Sequence, residues 1–145
     1  LADAGRDAMQ LTLDFCHEHD LEFVWTYRLN DIHAVFEIEQ LARFKKQNPH
    51  LLLGSPRDGD AFPGSDQRRY WTALNFAYKE VRQRRLDVIA DVLSRYDVDG
   101  IDLDFMRHPI FFESTMLGRS ATPEELGIMN GFVRQVRKLI LEVSQ

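Results

Sequence analysis

A single cysteine, Cys16, stands among 145 residues, so neither an intrachain disulfide nor a multi-cysteine zinc site can hold this chain together. No run of about 18 apolar residues occurs, and a membrane span is not expected. A cationic start followed by an apolar stretch is missing too, so no signal peptide is read. An excess of basic charge is also absent. Lys and Arg number 18 against 23 Asp and Glu, and the formal net charge of −5 offers no field to draw in a phosphate backbone. Nucleic acid is therefore not an expected partner. The chain opens at Leu1 inside a helical pattern, with no Met and no cap, which leads us to expect a piece of a longer protein. What is present is 44% hydrophobic and 28% charged residues, the range of a globular domain. At this size folding hides about 68–70% of the unfolded surface, so one domain with a real core is expected, and disorder is excluded.

The periodicities alternate between helix and strand. Apolar residues at helical spacing predict a helix over Ala2–His19, and Leu21–Tyr27, β-branched and aromatic, predicts the first strand. A helix over about 35–47 follows, stopped by Pro49. Glycines and prolines crowd residues 48–70, which read as a long loop of the kind that is usually functional. Trp71–Phe76 reads as a second strand. Val81, Arg85, Val88, Ile89, Val92, Leu93 and Tyr96 mark one helix face, and Ile101–Met106 alternates strictly as a third strand. After a loop to Ala121, Thr122, Pro123 and Glu125 form a capping box opening a last helix striped by Leu126, Met129, Val133, Val136, Ile140 and Val143. This order predicts an α/β fold with roughly three parallel strands covered by helices. A complete (β/α)8 TIM barrel needs at least about 200 residues, so the chain is either a small open α/β domain or part of a barrel.

The segment Asp97-Val-Asp-Gly-Ile-Asp-Leu-Asp-Phe-Met-Arg-His-Pro carries the chemistry. Alternation places Asp102 and Asp104 on one strand face and Ile101, Leu103 and Phe105 on the other. Carboxylates on a strand expected to be buried on both faces are costly without a task, and Asp104 lies near the carboxyl end of its strand, where reacting groups collect in parallel α/β proteins. The structural alternative is a pair between Asp104 and Arg107 that fixes the loop. At the end of the first strand, Arg28, Asn30, Asp31 and His33 form a polar cluster that could hydrogen-bond a hydroxyl-bearing ligand, with Trp25 or Tyr27 as a stacking surface, a ligand that the resemblance given below makes a sugar. Equally, Asn30 or Asp31 could cap the next helix, and strand aromatics are more often core. His17 and His19 read as solvated groups at a helix end, the basic run Arg82–Arg85 as a solvated face, and Cys16 as core.

On these residues the chain resembles the glycoside hydrolase-like family ten barrels, a bacterial family related to peptidoglycan glycan hydrolases. The family segment commonly reads YDVDGIHFDYIRYP, and Tyr96–Pro109 departs from it at Asp102, Leu103, Phe105, Met106 and His108. Weaker likeness runs upstream through Leu21–Trp25, Asn48–Leu53 and Trp71–Arg82. The resemblance implies that residues 1–145 are part of a (β/α)8 barrel, supplying roughly its second to fourth strands. It further implies O-glycosidic hydrolysis by carboxylate chemistry on a polysaccharide or glycan, no cofactor and no metal, and a secreted or periplasmic parent protein. Carried over, Asp104 becomes a catalytic carboxyl group, the general acid, with Arg107 beside it. Asp102, a like charge on the same face, would help keep one carboxyl of the pair protonated. The second carboxyl group such chemistry needs would be Glu113 or, more readily, a residue outside this segment. A partial barrel leaves open edges, so self-association or docking of the missing half is expected.

Two other readings remain. Asp102-Leu-Asp104 could be the Asp-x-Asp of a metal-dependent phosphatase or transferase, since oxygen ligands suit Mg²⁺. The segment could also be a non-catalytic carbohydrate-binding barrel fragment.

Overall fold

The computed structural model describes residues 7–32, 39, 41–60, 70–106 and 108–143. Helix α1 (Ala8–Glu18) begins where the Asp7 side chain accepts the Met9 amide at 2.9 Å. It ends in a Schellman turn, in which the Leu21 amide donates to the Cys16 carbonyl at 2.8 Å and Asp20 adopts a φ of 55°. Strand β1 (Val24–Arg28) follows, as the β-branched and aromatic residues predict. Of the helix expected over about 35–47, the described part is α2 (Arg43–Gln47), with Leu41 and Ala42 outside it. Residues 33–38 and 40 lie outside the described residues.

The expected loop over 48–70 is not structureless. Pro49–Leu51 forms a 3₁₀ turn and Pro56–Asp60 a short helix, α3. Between them Gly54 is held close. A Cβ there would lie 2.8 Å from Asp58 Oδ2 and 3.1 Å from Trp71 Cβ.

Trp71–Phe76 corrects the expected strand count. Residues 70–72 form a 3₁₀ turn, and Leu74 makes one antiparallel bridge with Leu52. The hydrogen bonds of this segment explain the difference. Leu53 N–H donates to Ala73, Gly54 N–H to Trp71 and Asn75 N–H to Leu51, so the segment is bound to the neighbouring loop and not to the sheet. Among the described residues the sheet has two strands.

Those strands are β1 and β2 (Gly100–Asp104), paired in parallel from Val24 opposite Gly100 to Arg28 opposite Asp104. Parallel neighbours require a crossover, and here it carries α2, α3 and the long helix α4 (Lys79–Arg95). A short helix α5 (Glu113–Met116) and the 21-residue α6 (Pro123–Val143) complete the chain. The capping box is present as read: the Glu125 amide donates to Thr122 Oγ1 at 3.2 Å, and Glu125 Oε2 accepts the Thr122 amide at 2.7 Å.

The core lies on one face of the sheet. Trp25, Tyr27, Ile101 and Leu103 pack there against a cluster that includes Val81 and Ile89 of α4 and Phe132 and Val136 of α6. Phe76 stands edge-on to Phe111 at 5.0 Å and to Phe132 at 5.6 Å, joining both connections to α6. A second cluster, Ile32, Leu53, Ala73, Ile110 and Met116, packs the two segments that leave the carboxyl ends of the strands against each other. The fold is α/β, with a parallel pair, helices on one face and an elaborated carboxyl end.

Candidate active site

Strand alternation, applied to the observed register, sorts the candidates. Trp25 pairs with Ile101 and Tyr27 with Leu103 on the core face, so Thr26 with Asp102 and Arg28 with Asp104 share the other. Val24, Thr26, Arg28 and Asp102 are all exposed, so this second face is open.

At its carboxyl end the face carries an ion pair. Arg28 Nε donates to Asp104 Oδ2 at 3.1 Å, with the Arg28 side chain 50% exposed and that of Asp104 18% exposed. The other oxygen, Oδ1, accepts the Met106 amide at 2.8 Å. Asp104 is thus fixed from a neighbouring strand and from its own exit loop, while Asp102 is left to solvent. The charge partner seen for Asp104 is therefore Arg28, a residue 76 positions away that the sequence alone could not place beside it. Arg107 and His33 lie outside the described residues.

Two residues after Arg28, Asn30 is buried, and its amide makes three hydrogen bonds to backbone. Nδ2 donates to the Leu74 carbonyl at 3.0 Å and the Ile110 carbonyl at 2.8 Å, and Oδ1 accepts the Leu74 amide at 2.9 Å. One side chain thereby ties together the segments that follow β1 and β2.

A family model described as Glycosyl hydrolase-like 10 matches residues 1–121. The chain belongs to the glycosyl hydrolase-like 10 family. A comparison with curated proteins finds no match.

In this glycosyl hydrolase-like chain the other candidates take structural positions. Of the two readings of Trp25 the packing matches the core one: it lies on the core face, stacked on Tyr27 at 5.0 Å, on the side of the sheet opposite Asp102 and Asp104. Asn30 directs both of its donors and its oxygen to backbone groups of the Leu74 and Ile110 segments. Asp31 is half-buried, and its carbonyl accepts from the Lys45 ammonium. Glu113 is exposed at the start of α5. His17 is not simply solvated: its Nε2 lies 3.1 Å from Asp99 Oδ2, which also accepts the Phe23 amide at 2.7 Å. Those two bonds hold the Asp99 carboxyl below its ordinary value. No group of three or more His, Cys, Asp or Glu side chains converges among the described residues.

Two features escaped the sequence reading. Lys45 is buried, and burial pushes its ammonium down to about 8, opposed by the nearby Asp31 and reinforced by Arg85. In the run Arg82–Arg85, Gln83 and Arg84 are exposed as a solvated face would have them, but Arg82 and Arg85 are half-buried and anchored. Arg82 donates to the Phe76 and Ala77 carbonyls, and Arg85 donates to the Tyr27 hydroxyl at 2.9 Å while lying over its ring. The signal was available for Arg85, a cation at a position of the apolar stripe of α4.

Proposed function

We propose that this chain supplies part of the catalytic face of a (β/α)8 glycoside hydrolase, acting on O-glycosidic bonds of a polysaccharide or glycan through carboxyl groups. The observation that carries this reading is the placement of Asp104. It stands at the carboxyl end of a parallel strand on the open face, fixed at both oxygens by Arg28 and the Met106 amide. Two donors aimed at one carboxylate suit a group that accepts a proton or attacks the anomeric carbon. The general-acid role that the resemblance implied for Asp104 then passes to Asp102 or to a carboxyl group from another part of the barrel, because two donors on Asp104 favour its ionised form. Arg28 acts here as a positioning residue, and Asn30 sets the two segments that frame the site.

The test is hydrolysis of a glycan panel, including denuded peptidoglycan strands, by the complete barrel protein and its Asp104→Asn variant. A loss of about 10²–10⁴-fold in kcat with an unchanged fold is expected. Equal activity in the two proteins would make Asp104 a structural partner of Arg28. Dependence of the activity on added Mg²⁺ would instead favour the Asp-x-Asp metal reading.

A further inference from the structure

Two stripes on the outside of the molecule match in spacing and oppose in charge. On α1, Leu11, Asp14, Phe15 and Glu18 share one helix face by their three- and four-residue spacing, and all four are exposed, Phe15 to 54%. On α6, Val133, Arg134, Arg137 and Leu141 share a face by the same spacing and are exposed, Leu141 to 54%. The first stripe joins apolar groups to carboxylates only, the second joins them to guanidinium groups only. Phe15 has the His19 ring 4.3 Å away, and the Lys138–Glu142 pair flanks the basic stripe. The two stripes are exposed, so they do not cover each other within one molecule. They lie on the helix before β1 and the helix after β2, and β1 and β2 each have one neighbour in the sheet among the described residues.

We propose that a second copy of this chain docks head to tail, with the α1 stripe of one molecule on the α6 stripe of the next. A two-fold contact of α1 on α1 would set carboxylates against carboxylates, and one of α6 on α6 would set guanidinium groups together. The charges therefore favour the heterologous arrangement. It stands independently of the glycosidase reading.

Sedimentation velocity on the 145-residue chain tests it with two blocked variants, Phe15→Asp and Val133→Asp. The wild-type chain should associate in a concentration-dependent way, and more weakly as salt is raised from about 0.05 M to about 0.5 M. Each variant alone should be monomeric, because every copy lacks the same half of the contact. An equimolar mixture should form a dimer and stop there, since one intact α1 stripe meets one intact α6 stripe. A second pair tests the charges: Glu18→Arg and Arg137→Glu should each weaken association, and the two together in one chain should restore it. A folded wild-type chain that stays monomeric at every concentration would overturn the proposal. So would a blocked variant that associates like the wild type, or a mixture that stays monomeric.

Discussion

Single residues at the carboxyl end of the sheet decide how its connections are held. Asn30→Ala removes three hydrogen bonds and leaves the Leu74 amide and two carbonyls without them in a buried setting. A loss of about 3 kcal/mol is expected from urea unfolding, with hydrogen exchange rising at residues 70–76 and 108–112. Lys45 gives a pH signature of the same sign as a paired carboxylate, but on the alkaline side and from a destabilised charge. Its folded value of about 8 lies below the ordinary 10.5, so the unfolded chain binds more protons between those values and stability rises with pH across that window. Lys45→Met should abolish this rise, which urea melts at pH 7.5 and 9.5 would read. A wild-type chain with flat stability from about 8 to about 10.5 would show that the ammonium is solvated. Arg28, Asp104 and Arg85 share one lesson. Each is recognisable as a charge in an unusual place, yet its partner lies 58 or 76 residues away and becomes adjacent only through parallel pairing and the return of α4.

At the scale of elements, the signals that proved local were read correctly. The capping box of α6 needs only residues 122–125, and its side-chain and backbone bonds form as the spacing dictates. Thr122→Ala should cost about 1 kcal/mol in thermal or urea unfolding. Glu125 extends the cap outward, because Ser114 Oγ donates to its Oε2 at 2.6 Å. That bond and the Thr122 amide hold its carboxyl below its ordinary value. The stabilisation is therefore present above pH 4.5 and is lost as pH falls through the lowered folded value. Glu125→Gln should remove that acid-side slope in a comparison of melts from pH 6 to pH 3. Trp71–Phe76 shows the limit of local reading. Its aromatic and apolar composition suits a buried strand, and it is buried, but its backbone groups find partners in residues 51–54 and in Asn30 before any sheet edge is reached. Burial was legible from composition; the identity of the hydrogen-bonding partner was not.

Across the whole molecule, α4 and α6 pack on one face of the parallel pair, and the ring cluster of Phe76, Phe111 and Phe132 locks the two connections to that layer. Phe132→Ala opens a cavity at their junction and should cost about 3–5 kcal/mol, lowering the cooperative transition of the chain as one unit. Two separate transitions in calorimetry would show instead that the carboxyl-end segments fold apart from the helical layer. The opposite face of the sheet stays open, and it is the face that carries Arg28, Asp102 and Asp104.

The sequence by itself determined the class of fold, the capped start of α6, the family, and the sharing of one strand face by Asp102 and Asp104. Each of these depends on spacing within a few residues or on a contiguous motif. Only the tertiary structure decided that β1 and β2 are direct neighbours, that Arg28 is the partner of Asp104, and that Trp25 faces the core while Asn30 is spent on backbone. Those outcomes depend on which segments, 44 to 80 residues apart, come together, and burial and hydrogen-bond satisfaction choose among pairings that local pattern leaves equivalent.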